Sequence, residues 1–175
     1  MNEEYIKDKY SMEDLISIVH KLRQPDGCPW DSVQTYESMR SCVTNEAAEV
    51  VEAVDNKDFI NLKEELGDLL LQVIMYVDIA TERGEFTLDE VVDELSRKMI
   101  RRHPHVFGDV EANTGQYKEL TDRGVSLWNA IKLREKQEKL EVYRTLYGEG
   151  HITEELMHFQ EEKHEKFLEK INLKG

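Results

Sequence analysis

The sequence is poor in the residues that several protein classes require. Three prolines and nine glycines in 175 residues leave too few turn positions for a turn-rich β architecture. The two cysteines, Cys28 and Cys42, have neither zinc-ligand spacing nor the look of a disulfide framework, so both read as reduced thiols. Basic residues are outnumbered 37 to 23, for a formal charge of −14, which argues against a general DNA- or RNA-binding surface. A small anionic ligand stays compatible with that balance, because a few lysines, arginines or metal ions reverse the sign locally. The longest apolar stretch, LLLQVIMYVDIA, is short for a membrane span and is broken by Gln72 and Asp78. The opening MNEEYIKDKY is charged and lacks an apolar secretory core, so a cytoplasmic protein is expected.

What the chain does have is helical periodicity. Ser11 and Asp14 have capping-box spacing, and Leu15, Ile16, Val19 and Leu22 follow at helical intervals, which predicts a helix ending near Arg23, before QPDGCPW. Thr35 is expected to cap a second helix to about Asn56, with Val43, Ala47, Val50 and Val54 as its buried stripe. Asp58 is expected to cap a third helix to about Gly84, apolar nearly all round and therefore central in a bundle. Thr87 and Glu90 form a second capping-box pattern that opens a fourth helix, which must stop before Pro104. HPHVFGDVEANTG reads as loop, a fifth helix runs from about Val125 to Leu140, and a charged final helix begins near Thr153 with Leu156, Phe159, Phe167 and Ile171 as its apolar stripe. No segment alternates with period two. The expected class is all-α, a helical bundle, whose broad apolar central helix calls for a partner subunit to cover it.

Two acidic pairs stand out on neighbouring helices: Glu46-x-x-Glu49 and Glu65-x-x-Asp68. The i, i+3 spacing projects both carboxylates of a pair from one side of its helix. Asp68 is the more telling residue, set among Leu62, Leu66, Leu69, Leu70, Leu71 and Val73, where a desolvated carboxylate needs a cation or dense hydrogen bonding. Facing each other, the pairs would make a four-carboxylate cage for a hard divalent ion such as Mg²⁺ or Mn²⁺. Taken singly, each pair also fits a solvated face of a charged helix.

Hard, oxygen-bound metals in enzymes mostly serve phosphate chemistry, which needs basic groups nearby. Lys98 and Arg102 lie i, i+4 in RKMIRRHPH, with Arg101 beside them; favourable charge at a helix C-terminus explains them equally well. Trp128 and Lys132, again i, i+4, could stack a base and hold a phosphate, or simply be a half-buried ring under a lysine stem. His103 and His105 lack a third soft ligand, and Cys28 lacks a partner base, so neither points to zinc or to thiol catalysis.

The strings DGCPWDSVQTYESM, NEAAEVVEAV, LKEELGDLLLQVI, RKMIRRHPHVFG and SLWNAIKLREK, in this order, resemble the MazG family of nucleoside triphosphate pyrophosphohydrolases. The resemblance covers about 12–136, so 1–136 is expected to form the domain and 137–175 a charged helical extension packed on, or swapped with, the same unit. It implies an all-α homodimer or higher oligomer and Mg²⁺-dependent hydrolysis of a nucleoside triphosphate to monophosphate and pyrophosphate. Carried over by position, it implies Glu46, Glu49, Glu65 and Asp68 as metal ligands, with Glu46 or Glu49 holding the attacking water. It implies Lys98, Arg102, Trp128 and Lys132 as nucleotide contacts. The first Glu of the family's E-E-x-x-E is Asn45 here. A non-catalytic helical module that binds nucleotide or a partner is the alternative expectation.

Overall fold

The computed structural model describes residues 5–108, 117–118 and 126–172. Among these there are helices and no strands: α1 (Met12–Arg23), a 3-10 turn (Asp31–Val33), α2 (Arg40–Asn56), α3 (Phe59–Glu82), α4 (Leu88–Arg102), the single turn α5 (Pro104–Phe107), α6 (Leu127–Gly148) and α7 (Glu154–Asn172). The all-α expectation holds. The chain divides into two compact units, Met1–Asp93 and Glu94–Gly175, and the division falls inside α4.

Helix starts follow local side-chain chemistry. Ser11 Oγ accepts from the Asp14 N–H at 3.2 Å while Asp14 accepts from the Ser11 N–H at 3.0 Å, closing a capping box. Asp58 accepts from the N–H groups of Ile60 and Asn61, Thr87 and Glu90 form the second capping box, and Thr153 accepts from Leu156. The α2 start is different. Thr35 and Ser38 hydrogen-bond each other's N–H groups in a separate turn, and the regular helix begins only at Arg40. α5 turns one part of the expected loop into helix, α6 runs two turns past Leu140, and Val125 and 109–116 lie outside the described residues.

In the first unit α2 and α3 form a hairpin, linked by Lys57 in the left-handed region (φ 58°) and Asp58. Val19, Met39, Ile74 and Met75 make the core, with Leu15, Ile16, Cys42, Leu70, Leu71 and Tyr76 against it. The α2 stripe is therefore displaced from the expected one: Ala47 and Val54 are exposed, and the inward positions run through Cys42, Glu46, Val50 and Ala53.

The DGCPWD segment is pinned to α1 and α3. A Cβ on Gly27 would lie 2.3 Å from the Lys21 carbonyl oxygen, so only glycine fits. Arg23, 5% exposed, donates to Asp78 (3.0 Å), Glu82 (2.6 Å) and the Asp31 carbonyl (2.8 Å), and His20 donates to the other Asp78 oxygen at 2.8 Å. In the second unit α6 and α7 form a hairpin whose buried residues include Ala130, Ile131, Leu133, Leu140, Met157 and Ile171. On α7, Leu156 and Phe159 are exposed, while the expected Ile171 is buried and Phe167 half-buried, with Met157 and His164 also facing inward.

Candidate active site

The hairpin of the first unit brings three of the four nominated carboxylates together. Glu46, Glu49 and Glu65 each offer an oxygen within 4.8 Å of the others. Asp68 is outside that trio, but its charge reaches both Glu46 and Glu65. The most desolvated acid is Glu65, 6% exposed, rather than Asp68, which is half-buried. The reason is helix phase: Leu66 and Val73 face outward at 51% and 46% exposure, so the apolar run does not close over Asp68. Burial, with the charges of Asp68 and Glu49, pushes the Glu46 carboxyl above its ordinary range. Burial and the charges of Glu49, Asp68, Glu46 and Glu64 do the same to Glu65.

No lysine or arginine among the described residues pairs with these acids. Four acids held at close range without a counter-ion repel one another, and a cation relieves that repulsion. The donors are all oxygens on two packed helices, which suits a hard divalent cation and not a thiolate-seeking one. Asn45 is exposed on the same helix.

One turn beyond Asp68 on α3 lies Gln72, which belongs to no sequence motif. It is 6% exposed, and its Oε1 is enclosed with no hydrogen-bond partner among the described residues. An unmet buried amide oxygen costs about 1–3 kcal/mol. Gln72→Met, of similar shape, is therefore expected to raise the stability of the ligand-free protein by about 1 kcal/mol in urea unfolding; a lower midpoint would show that the oxygen is satisfied.

The second unit holds the nominated basic and aromatic residues. Arg102 and Trp128 meet, with the guanidinium carbon 5.3 Å from the ring centre, and His103 meets the same ring edge-on at 5.2 Å. His103 donates its Nδ1 hydrogen to the Met99 carbonyl at 2.7 Å. Glu135, unselected in the sequence, binds Arg101 (2.7 Å) and Arg102 (2.9 Å). Burial would raise its carboxyl, but the two arginines outweigh that and hold it below the usual range. Lys132 instead rests over the Phe167 ring of α7, at 5.5 Å. Lys98, Arg101 and Arg102 line a cavity of about 710 Å³ within this unit.

The described residues are all helical, and a carboxylate cluster that could hold a metal ion lies on the α2–α3 hairpin. Residues 34–107 match the MazG nucleotide pyrophosphohydrolase domain, and over that segment the chain is a member of the MazG family. It is 47% identical over 127 residues to the nucleoside triphosphate pyrophosphohydrolase/pyrophosphatase MazG of Thermotoga maritima, covering 73% of this chain and 46% of that protein. It is 42% identical over 120 residues to the uncharacterized protein YabN of Bacillus subtilis, covering 69% and 23%. It is 38% identical over 129 residues to the nucleoside triphosphate pyrophosphohydrolase of Escherichia coli, covering 73% and 47%. The chain thus spans less than half the length of these relatives.

Proposed function

We propose that the protein hydrolyses the α–β phosphate bond of nucleoside triphosphates, releasing monophosphate and pyrophosphate, with Mg²⁺ held by Glu46, Glu49, Glu65 and Asp68 and with Mn²⁺ as a possible substitute. The observation that carries this reading is the unpaired carboxylate cluster on the α2–α3 hairpin of a MazG domain. The bound ion would neutralise phosphate oxygens and acidify a water. Glu49, exposed beside the buried Glu65, or Glu46 would accept a proton from the attacking water. Lys98 would offset the charge that grows on the leaving pyrophosphate. Trp128, 38% exposed, offers a face on which any base can stack, which supports tolerance among bases. Arg102, fixed by Glu135, would hold that ring in place as well as contact phosphate. The substrate pool would be the cytoplasmic nucleotides, and clearance of surplus or non-standard ones is the role this activity suits.

No helix among the described residues is long and apolar enough to cross a membrane. Phe59, Ile60, Leu66 and Val73 are exposed at 74%, 82%, 51% and 46%, which supports a homodimer or higher oligomer that covers them.

The test is pyrophosphate release from a panel of nucleoside triphosphates with Mg²⁺ and with chelator. Turnover is expected with metal only. Lys98→Ala is expected to lower turnover about a hundredfold while the Mg²⁺-induced rise in melting temperature persists. Asn45, where the family pattern has a Glu, favours a second reading: a module that binds nucleotide without cleaving it. Saturable binding with no product on any triphosphate would establish that reading instead.

A further inference from the structure

Four lysines of the α6–α7 hairpin lie without a carboxylate partner among the described residues. Lys132, Lys136 and Lys139 come from α6 and Lys163 from α7. None of the four forms an ion pair among the described residues, although acidic residues outnumber basic ones 37 to 23. Their recorded partners are ring faces: Lys132 and Lys136 over Phe167 (5.5 and 5.1 Å), Lys139 over Tyr143 (5.9 Å), Lys163 over Phe159 (4.7 Å). Ring faces offset only part of an ammonium's desolvation and none of the repulsion between neighbours. That repulsion is felt at Lys136: burial first, then the charges of Lys132, Lys163, Lys139 and Arg102, press its ammonium below the ordinary lysine range.

Lys136, Lys139 and Lys163 line one cavity of about 120 Å³ together with Tyr143, Gln160 and His164. That is the space of about four waters, enough for a tetrahedral anion. The His164 Nδ1 is enclosed without a hydrogen-bond partner among the described residues. Lys136, Lys139 and Tyr143 also line the 710 Å³ cavity that holds Lys98 and Arg102. Ammonium groups, a phenol and an amide lining one cavity suit a small multivalent oxyanion, whose several oxygens accept from several donors at once.

We propose that the α6–α7 hairpin is a binding site for a phosphate-bearing anion, lined by Lys136, Lys139, Lys163 and His164. The ligand is orthophosphate, pyrophosphate or the phosphate tail of a nucleotide. A site here would hold a reaction product or an effector without needing a metal.

The experiment uses the full chain in excess chelator, which disables the carboxylate cluster. Orthophosphate, pyrophosphate and a nucleoside triphosphate are titrated separately by calorimetry, so that the tightest binder identifies the source of the phosphate. Metal-independent binding is expected, weakened about tenfold or more in the double variant Lys139→Gln/Lys163→Gln and changed less than about twofold in Lys63→Gln, an exposed lysine of α3. Both altered lysines are exposed, so the fold should survive. As a second readout on the unaltered protein, the His164 ring resonance is expected to move on titration. No binding in chelator, equal binding by the double variant, or a motionless His164 resonance overturns the proposal. Loss of triphosphate turnover in Mg²⁺ has no bearing on it, so failure of the hydrolase reading is distinguished from failure of this one.

Discussion

Replacing Glu49 with alanine is expected to cut pyrophosphate release about a thousandfold, ~4 kcal/mol of transition-state stabilisation, and to leave the fold intact. Glu49 is exposed, so its loss opens no cavity; what would disappear under the proposed function is a donor to the ion and a carboxylate beside the attacking water. Wild-type turnover in this variant would remove the carboxylate cluster from the mechanism. Glu65→Gln separates the two costs. Glu65 is buried and its carboxyl titrates above the ordinary value of 4.5. Its ionisation therefore costs more in the folded chain than in the unfolded one. That penalty is absent below 4.5, develops as pH rises through the folded value, and is complete above it. In chelator at neutral pH the glutamine variant is expected to melt higher than wild type, with the gap closing towards pH 4.5. In Mg²⁺ the order should reverse, because only wild type gains the ion's binding energy. Melting curves at two pH values with and without Mg²⁺ check all of this, and a variant less stable than wild type in chelator would contradict the repulsion.

The largest stability loss is expected at Arg23. Its side chain is 2% exposed and it joins Asp78, itself 11% exposed, to Glu82 and to the Asp31 carbonyl. Arg23→Ala leaves a buried aspartate without its cation and releases the DGCPWD segment from α3, at about 3–5 kcal/mol. For a chain of this size that is a fall of about 10 °C in Tm. Arg23→Lys should recover little, since an ammonium reaches one partner where the guanidinium holds several. A variant within a degree or two of wild type would show that the network is replaced by water.

Most helix starts were legible because their causes are local. Ser11 with Asp14, Asp58 with Ile60 and Asn61, and Thr87 with Glu90 are interactions across two or three residues, and they form wherever the chain goes next. Thr35 misled for the same reason: its hydroxyl was free to close a turn with Ser38 instead of capping α2. The α2 stripe was misjudged because phase depends on what lies opposite. α3 receives Cys42, Glu46 and Ala53, leaving Val54 exposed.

The sequence by itself determined the helical class, the spacing that aims each acidic pair from one side of its helix, and the family strings that cross the chain. Local hydrogen bonding and helical pitch carry that information within a few residues. Only the tertiary structure decided that Glu65 rather than Asp68 is the buried acid, that Arg23 reaches Asp78 and Glu82, that Glu135 engages Arg101 and Arg102, and that lysines of α6 and α7 converge around His164. Those partners are brought together by the packing of distant helices. Desolvation and charge repulsion depend on that packing, and helical periodicity does not encode it.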